Sequence, residues 1–146
     1  MTDPADLPLS PEQQQRFDTG VAQFNGGDWF EAHETWEDLW LDLPRGPRRD
    51  FIQGLIQLAV ALEHVRRRNP RGALMLVARA GKRFRFDGRG RDLGVDGRTL
   101  HATICDLLRP LHELPAEALR PRTRLDRPLP VDLTQAPRIV READHA

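Results

Sequence analysis

Six polar side chains of the right types for chemistry stand in residues 33–64: His33, Glu34, Glu37, Gln53, Gln57 and His64. The same region holds all three tryptophans, Trp29, Trp36 and Trp40, within or beside it. Two histidines with carboxylates suit a divalent transition metal, and His33, Glu37 and His64 are the candidate ligands. A metal-bound water would then make hydrolysis the natural reaction. Without a metal, a carboxylate beside a tryptophan suits a general acid or base. The plain alternative is a polar network that fixes how two helices pack. The spacing favours no metal class. His33 and Glu34 do not begin an HExxH zinc pattern, and Glu34 with Glu37 makes only ExxE, not the ExxH of di-iron bundles.

These residues need two helices to position them. Asp28 follows Gly26-Gly27 and has Glu31 three residues on, which predicts an N-terminus with a near capping box. Trp29, Ala32, Trp36, Leu39, Trp40 and Leu43 then recur at threes and fours, a buried stripe. Glu31, Thr35, Asp38 and Asp42 lie opposite, in solvent. His33, Glu34 and Glu37 fall at the borders of the stripe, beside Phe30 and Leu41. Pro44, Gly46 and Pro47 break the helix and turn the chain.

From about Arg48 to Arg68 there is no proline, and the middle of the stretch, Phe51 to Val65, is apolar nearly all round, the mark of a central helix. Gln53, Gln57 and His64 share one narrow stripe of it, with Val60 between. A buried polar group without a partner costs about 1–3 kcal/mol, so these three are expected to meet His33, Glu34 and Glu37 across a helical hairpin. Gly54 and Ala61 leave room for another element to approach.

The pattern FNxGxxFEAHExWExxW followed by QGLIQLAVALxH resembles the domain-of-unknown-function family numbered 309. Phe24, Asn25, Gly27, Phe30 to Glu34, Trp36, Glu37, Trp40, Gln53 to Leu62 and His64 carry it. The likeness covers roughly residues 14 to 86. It implies a small all-α domain of stacked helices, and no particular activity or cofactor.

A chain of 146 residues is one domain by length. No apolar run reaches the ~20 residues of a membrane span, and the acidic, proline-bearing start has no signal-peptide pattern. The one cysteine, Cys105, fits a reducing compartment, so a cytoplasmic location is expected. Net charge is zero but uneven. Residues 1–43 carry ten acids and one base; residues 44–91 carry thirteen bases and three acids. The two parts can neutralise each other across helix contacts or in a symmetric dimer. A basic face for nucleic acid over residues 66–91 is the other reading.

Elsewhere, Ser10-Pro11-Glu12 opens a first helix that ends at Asn25-Gly26-Gly27. Arg66-Arg67-Arg68 closes the central helix, where cations complement the dipole. Asn69-Pro70 opens a fourth helix. Arg83-Phe84-Arg85-Phe86 alternates base and aromatic, a short hint of nucleobase stacking. Residues 87–98 hold four glycines and read as a loop without a phosphate-binding pattern. A fifth helix runs from about Asp96 to Arg109. On it, His101 and Cys105 stand one turn apart, a pairing that can activate a thiolate but more often just packs. Pro110 ends that helix, a further short turn is expected over 115–120, and a proline-rich stretch should wrap the domain or a partner subunit, with Val131, Leu133, Ile139 and Val140 to bury.

The sequence thus predicts an all-α fold, a single bundle of about five helices packed as antiparallel hairpins. Residues 1–10 form a flexible start, 11–112 the domain, and 113–146 a proline-rich extension. Function leans to binding a protein or small ligand rather than catalysis. The alternatives are a metal-dependent hydrolase using His33, Glu34, Glu37 and His64, and nucleic-acid binding. A homo-oligomer is compatible with the charge layout, and a membrane role is not expected.

Overall fold

Ser10 begins the first helix as its chemistry demands. Its hydroxyl accepts from the Gln13 amide at 3.1 Å, and the Gln13 side chain accepts from the Ser10 amide at 2.9 Å. This reciprocal pair starts α1 (Pro11–Asn25). The computed structural model describes residues 7–87 and 89–142, with only the backbone at 86 and 87. The expected looseness of residues 1–6, the Phe86 ring and the last four residues of the extension lie outside the described part.

Four more helices follow: α2 (Trp29–Asp42), α3 (Pro47–Arg66), α4 (Pro70–Lys82) and α5 (Gly97–Leu108). The all-α bundle read from the sequence is the fold. Consecutive helices pack as antiparallel neighbours, with α3 flanked by α2 on one side and α4 on the other. Phe51, Ile52, Leu55, Leu58, Ala59, Ala61 and Leu62 of α3 are all fully buried, as expected of a central helix.

Trp36 anchors the seam between α1 and α2. It is fully buried, stacks on Phe17 and tilts against Phe24 with ring centroids 6.3 and 6.0 Å away, and donates its indole N–H to the Phe17 carbonyl at 3.2 Å. Gly20 of α1 lies directly under the indole, where any Cβ would overlap it. Asp28 precedes α2 but makes no side-chain cap, so the expected capping box does not form. The turn instead closes through Gly27, which takes φ 80°, and through backbone bonds from Gly26 and Asp28 to the end of α1.

Asn69 caps α4 as predicted, accepting from the Gly72 amide at 3.0 Å. After α4 a π-helical turn (Arg83–Asp87) drops Phe84 into the core. Phe84 packs edge-on against Phe51 with centroids 5.6 Å apart, in the room left by Gly54 and Gly97. Its ring is therefore no stacking platform for a nucleobase.

The stretch read as a loop contains a small antiparallel hairpin, β1 (Arg91–Asp92) and β2 (Val95–Asp96), with Arg91 opposite Asp96. Leu93 and Gly94 both take positive φ, the conformation that a two-residue hairpin turn requires. The buried Asp92 carboxylate receives Arg48 Nε at 3.0 Å and Nη2 at 3.2 Å, which ties the hairpin to the start of α3.

The fifth α-helix ends just before Pro110, as expected, and a 3-10 turn (Arg109–Glu113) follows it. The expected short turn over 115–120 forms at Ala116–Leu119. Beyond it the chain wraps its own domain. The Ile139 amide donates to Asn25 Oδ1 at 2.6 Å, and Asn25 Nδ2 donates back to the Ile139 carbonyl at 3.0 Å. Leu129 and Ile139 are buried, whereas Val140, expected to bury, is 82% exposed. No helix among the described residues is long and apolar enough to cross a membrane.

Candidate functional site

The residues singled out by type converge only in part. A cleft of about 120 Å³ opens between α2 and α3, lined by Phe30, His33, Val60, Glu63, His64 and Arg67. His33 and His64 are both there. Glu34 and Glu37 are not: each is exposed on the outer edge of α2. Gln53 is half-buried along α3, and the carbonyl oxygen of buried Gln57 has no hydrogen-bond partner among the described residues. The polar network expected between the glutamines and the α2 carboxylates therefore does not form. One α-helical step explains this. Glu34 and Glu37 sit on the solvent side of the stripe border, and only His33, turned toward Trp40, reaches α3.

His33 is held by its own helix. Nδ1–H donates to the Phe30 carbonyl at 3.1 Å, and Nε2 lies 3.2 Å from Glu37 Oε2. The ring tilts against Phe30 with centroids 5.3 Å apart.

His64 is positioned by the start of α4. Asn69 uses Oδ1 for its cap, so Nδ2 is left to donate to His64 Nδ1 at 3.2 Å. That fixes the neutral tautomer with its proton on Nε2, which takes no partner among the described residues. Gly72 lets the ring lie close, because a Cβ there would come within 2.9 Å of it. Burial, with Arg67 and Arg124 nearby, holds the His64 imidazole below its ordinary value of 6.5.

Glu63 is the residue that sequence reasoning missed. It is buried yet charged, receiving Arg66 Nη1 at 3.0 Å and Arg67 Nε at 2.8 Å. Arg66 also lies over the Trp29 ring, 4.5 Å from its centroid, and Arg67 over Phe30 at 5.0 Å. Two of the arginines read as a helix-end charge run thus share one carboxylate, and Arg67 is a wall of the cleft. An acid followed by arginines three and four residues later, inside an apolar helix, was the available signal.

No group of three or more His, Cys, Asp or Glu among the described residues could hold a metal ion together. His33, Glu37 and His64 do not converge on one point: His33 and Glu37 pair on α2, while His64 pairs with Asn69. The second candidate pair, His101 and Cys105, lies apart from the cleft, where α5 packs on the C-terminal part of α4. His101 Nε2–H donates to the Val77 carbonyl at 2.9 Å, and Cys105 Sγ is 3.4 Å from Nε2. Burial and then Asp106 push the thiol up from its ordinary value, the opposite of activation.

Comparison with known proteins bears out the resemblance over this region. Residues 17–76 match the model of the family described as Domain of unknown function (DUF309). The chain is also similar to the Uncharacterized protein YpuF of Bacillus subtilis (strain 168), 38% identical over 87 residues, which are 59% of this chain and 48% of that protein. The chain spans about half the length of this curated relative. The matched segment contains α2, α3 and the whole cleft.

Proposed function

We propose that the protein is a non-catalytic binding domain whose α2–α3 cleft receives one side chain of a protein partner. The cleft's size and walls carry this reading. At about 120 Å³ it falls below the about 300–1,000 Å³ typical of pockets for whole small molecules. It is wide enough for a single side chain. Phe30 and Val60 supply apolar walls, and the His64 Nε2–H and the Arg67 guanidinium supply donors. An acceptor-bearing side chain from a partner suits that combination. The exposed setting of Glu34 and Glu37 supports binding over acid–base work, which calls for a carboxylate held in a desolvated place. The lone thiol Cys105 suits a reducing compartment, and the cytoplasm is the location this reading carries.

The test is selection of peptides from a displayed random library, followed by calorimetry of the enriched sequences. Peptides should bind wild-type protein and lose at least tenfold in affinity with Phe30→Ala or Val60→Glu. Enriched peptides that bind both variants as tightly as the wild type would contradict the reading.

A further inference from the structure

The cleft is one end of a longer open face, and its charges show what covers it. Three helices lie side by side with α3 in the middle. Along the α2 edge stand Phe30, Glu34, Glu37 and Leu41, spaced four, three and four, all exposed. Along α3 run Gln53, Ile56, Val60 and His64, all half-buried. Along α4 stand Met75, Arg79 and Lys82, again exposed. Phe30 and Met75 are each 38% exposed and Leu41 63%. The face is thus apolar in part, acidic on one edge and basic on the other. Glu34, Arg79 and Lys82 have no ion pair among the described residues, and Glu37 has only His33.

We infer that this face is covered by a second copy of the same chain, in a two-fold dimer whose axis runs along α3. The inference rests on reading the α2–α3 edge as a binding surface and names its partner. Symmetry decides the geometry. Two identical faces meet about a two-fold axis lying in the plane of contact, and the limiting directions are along α3 and across it. An axis across α3 sets α2 against α2, acid against acid. An axis along α3 sets the acidic α2 edge of each copy over the basic α4 edge of the other, twice.

The levels agree as well. Gly72 lies against His64, and Arg83 packs at Gly54, so α4 runs antiparallel to α3 with Arg79 near its middle. Phe30 and His33 share the cleft with Val60 and His64, and Arg49 stacks on Trp40 3.7 Å from the ring centroid. Glu37 therefore also stands near the middle of α3. An axis along α3 keeps each level, bringing Glu37 of one copy opposite Arg79 of the other. The size is sufficient. With 14, 20 and 13 residues, α2, α3 and α4 are about 21, 30 and 20 Å long, and at 8–10 Å spacing they make a face of about 600 Å². That is the lower end of the range per partner, about 600–1,000 Å², that specific interfaces bury.

The experiment is sedimentation velocity on the full chain over a concentration series, for wild type, Glu37→Arg, Arg79→Glu and the double variant. Both positions are exposed, so circular dichroism should show all four folded. Wild type should be dimeric at micromolar concentration. Each single reversal should raise the dissociation constant at least tenfold, and the double variant should recover most of the loss, because the reversed charges face each other again. A wild type that stays monomeric at 100 μM overturns the dimer. So does a dimer indifferent to both reversals, or one that the double variant fails to restore. A monomeric protein that still binds selected peptides in the cleft would refute the dimer while leaving the binding reading standing. If neither association nor peptide binding occurred, both would fall.

Discussion

The two sides of α2 face different tasks. Toward α1 the helix is sealed: Trp36 is fully buried, its N–H is spent on the Phe17 carbonyl, and Gly20 admits the indole. Toward α3 and the solvent it is open: Phe30 is partly exposed, His33 borders a cleft, and the donor of His64 has no partner among the described residues. Closed packing yields stability and leaves no group for a partner. The open side gives up some burial and keeps apolar walls and donors that a partner can use. The comparison teaches that aromatic content alone does not mark a site. Trp36 and Phe30 stand six residues apart on one helix, and only one of them faces a place where something else can bind.

The contrast breaks most visibly at the sealed side. Trp36→Ala removes a fully buried ring and should cost about 3–5 kcal/mol, read as a large fall in denaturant midpoint. Gly20→Ala, although it adds only a methyl group to a helix, should cost about 1–3 kcal/mol because the indole must shift. A Gly20→Ala variant as stable as wild type would show that the α1–α2 seam is looser than its geometry. Glu63→Gln should be milder, about 1 kcal/mol, since its arginine partners are nearly half exposed and screened by solvent. Chemical denaturation reads both.

Histidine titration sharpens the comparison. His64 and His101 are both held below 6.5, chiefly by burial. The unfolded chain therefore takes up protons at 6.5 while the folded chain does not. Their contribution to stability is complete above that pH and declines as pH falls toward the folded-state values. Melting temperature should fall from pH 7 to pH 5. His64→Gln and His101→Gln should each flatten the profile relative to wild type. Parallel profiles for all three proteins would refute this assignment.

Much of the fold was legible because local signals and burial pointed the same way. Ser10-Pro11 and Asn69-Pro70 cap helices where their chemistry requires, and the all-round apolar run of α3 occupies the centre. The hairpin at Arg91–Asp96 was hidden because its turn is Leu93-Gly94, which lacks the usual Asn-Gly or Asp-Gly signal. In the extension, Val140 and Ile139 are equally apolar. Bonds to residues far away in the chain, the Asn25 side chain on the Ile139 backbone and the Gly94 carbonyl on the Glu142 amide, hold the stretch so that Ile139 turns inward. Within the site, His33 and His64 were legible, since helical spacing placed both beside the hairpin's contact. The exposure of Glu34 and Glu37 was not, because a border position on a helical wheel is settled by how far the next helix reaches. Glu63 was overlooked because a carboxylate among apolar residues becomes intelligible only once Arg66 and Arg67 are seen to fold back on it.

The central claim is that the α2–α3 edge serves recognition and the α1–α2 seam serves stability. The most direct measurement pairs two readings on one variant, Phe30→Ala: melting temperature, and affinity for the peptides selected on wild type. Because the ring is partly exposed, stability should drop by less than about 1 kcal/mol, while affinity falls at least tenfold. A variant that melts far below wild type yet keeps its peptide affinity would contradict the account, assigning Phe30 to the core and the recognition surface to another part of the molecule.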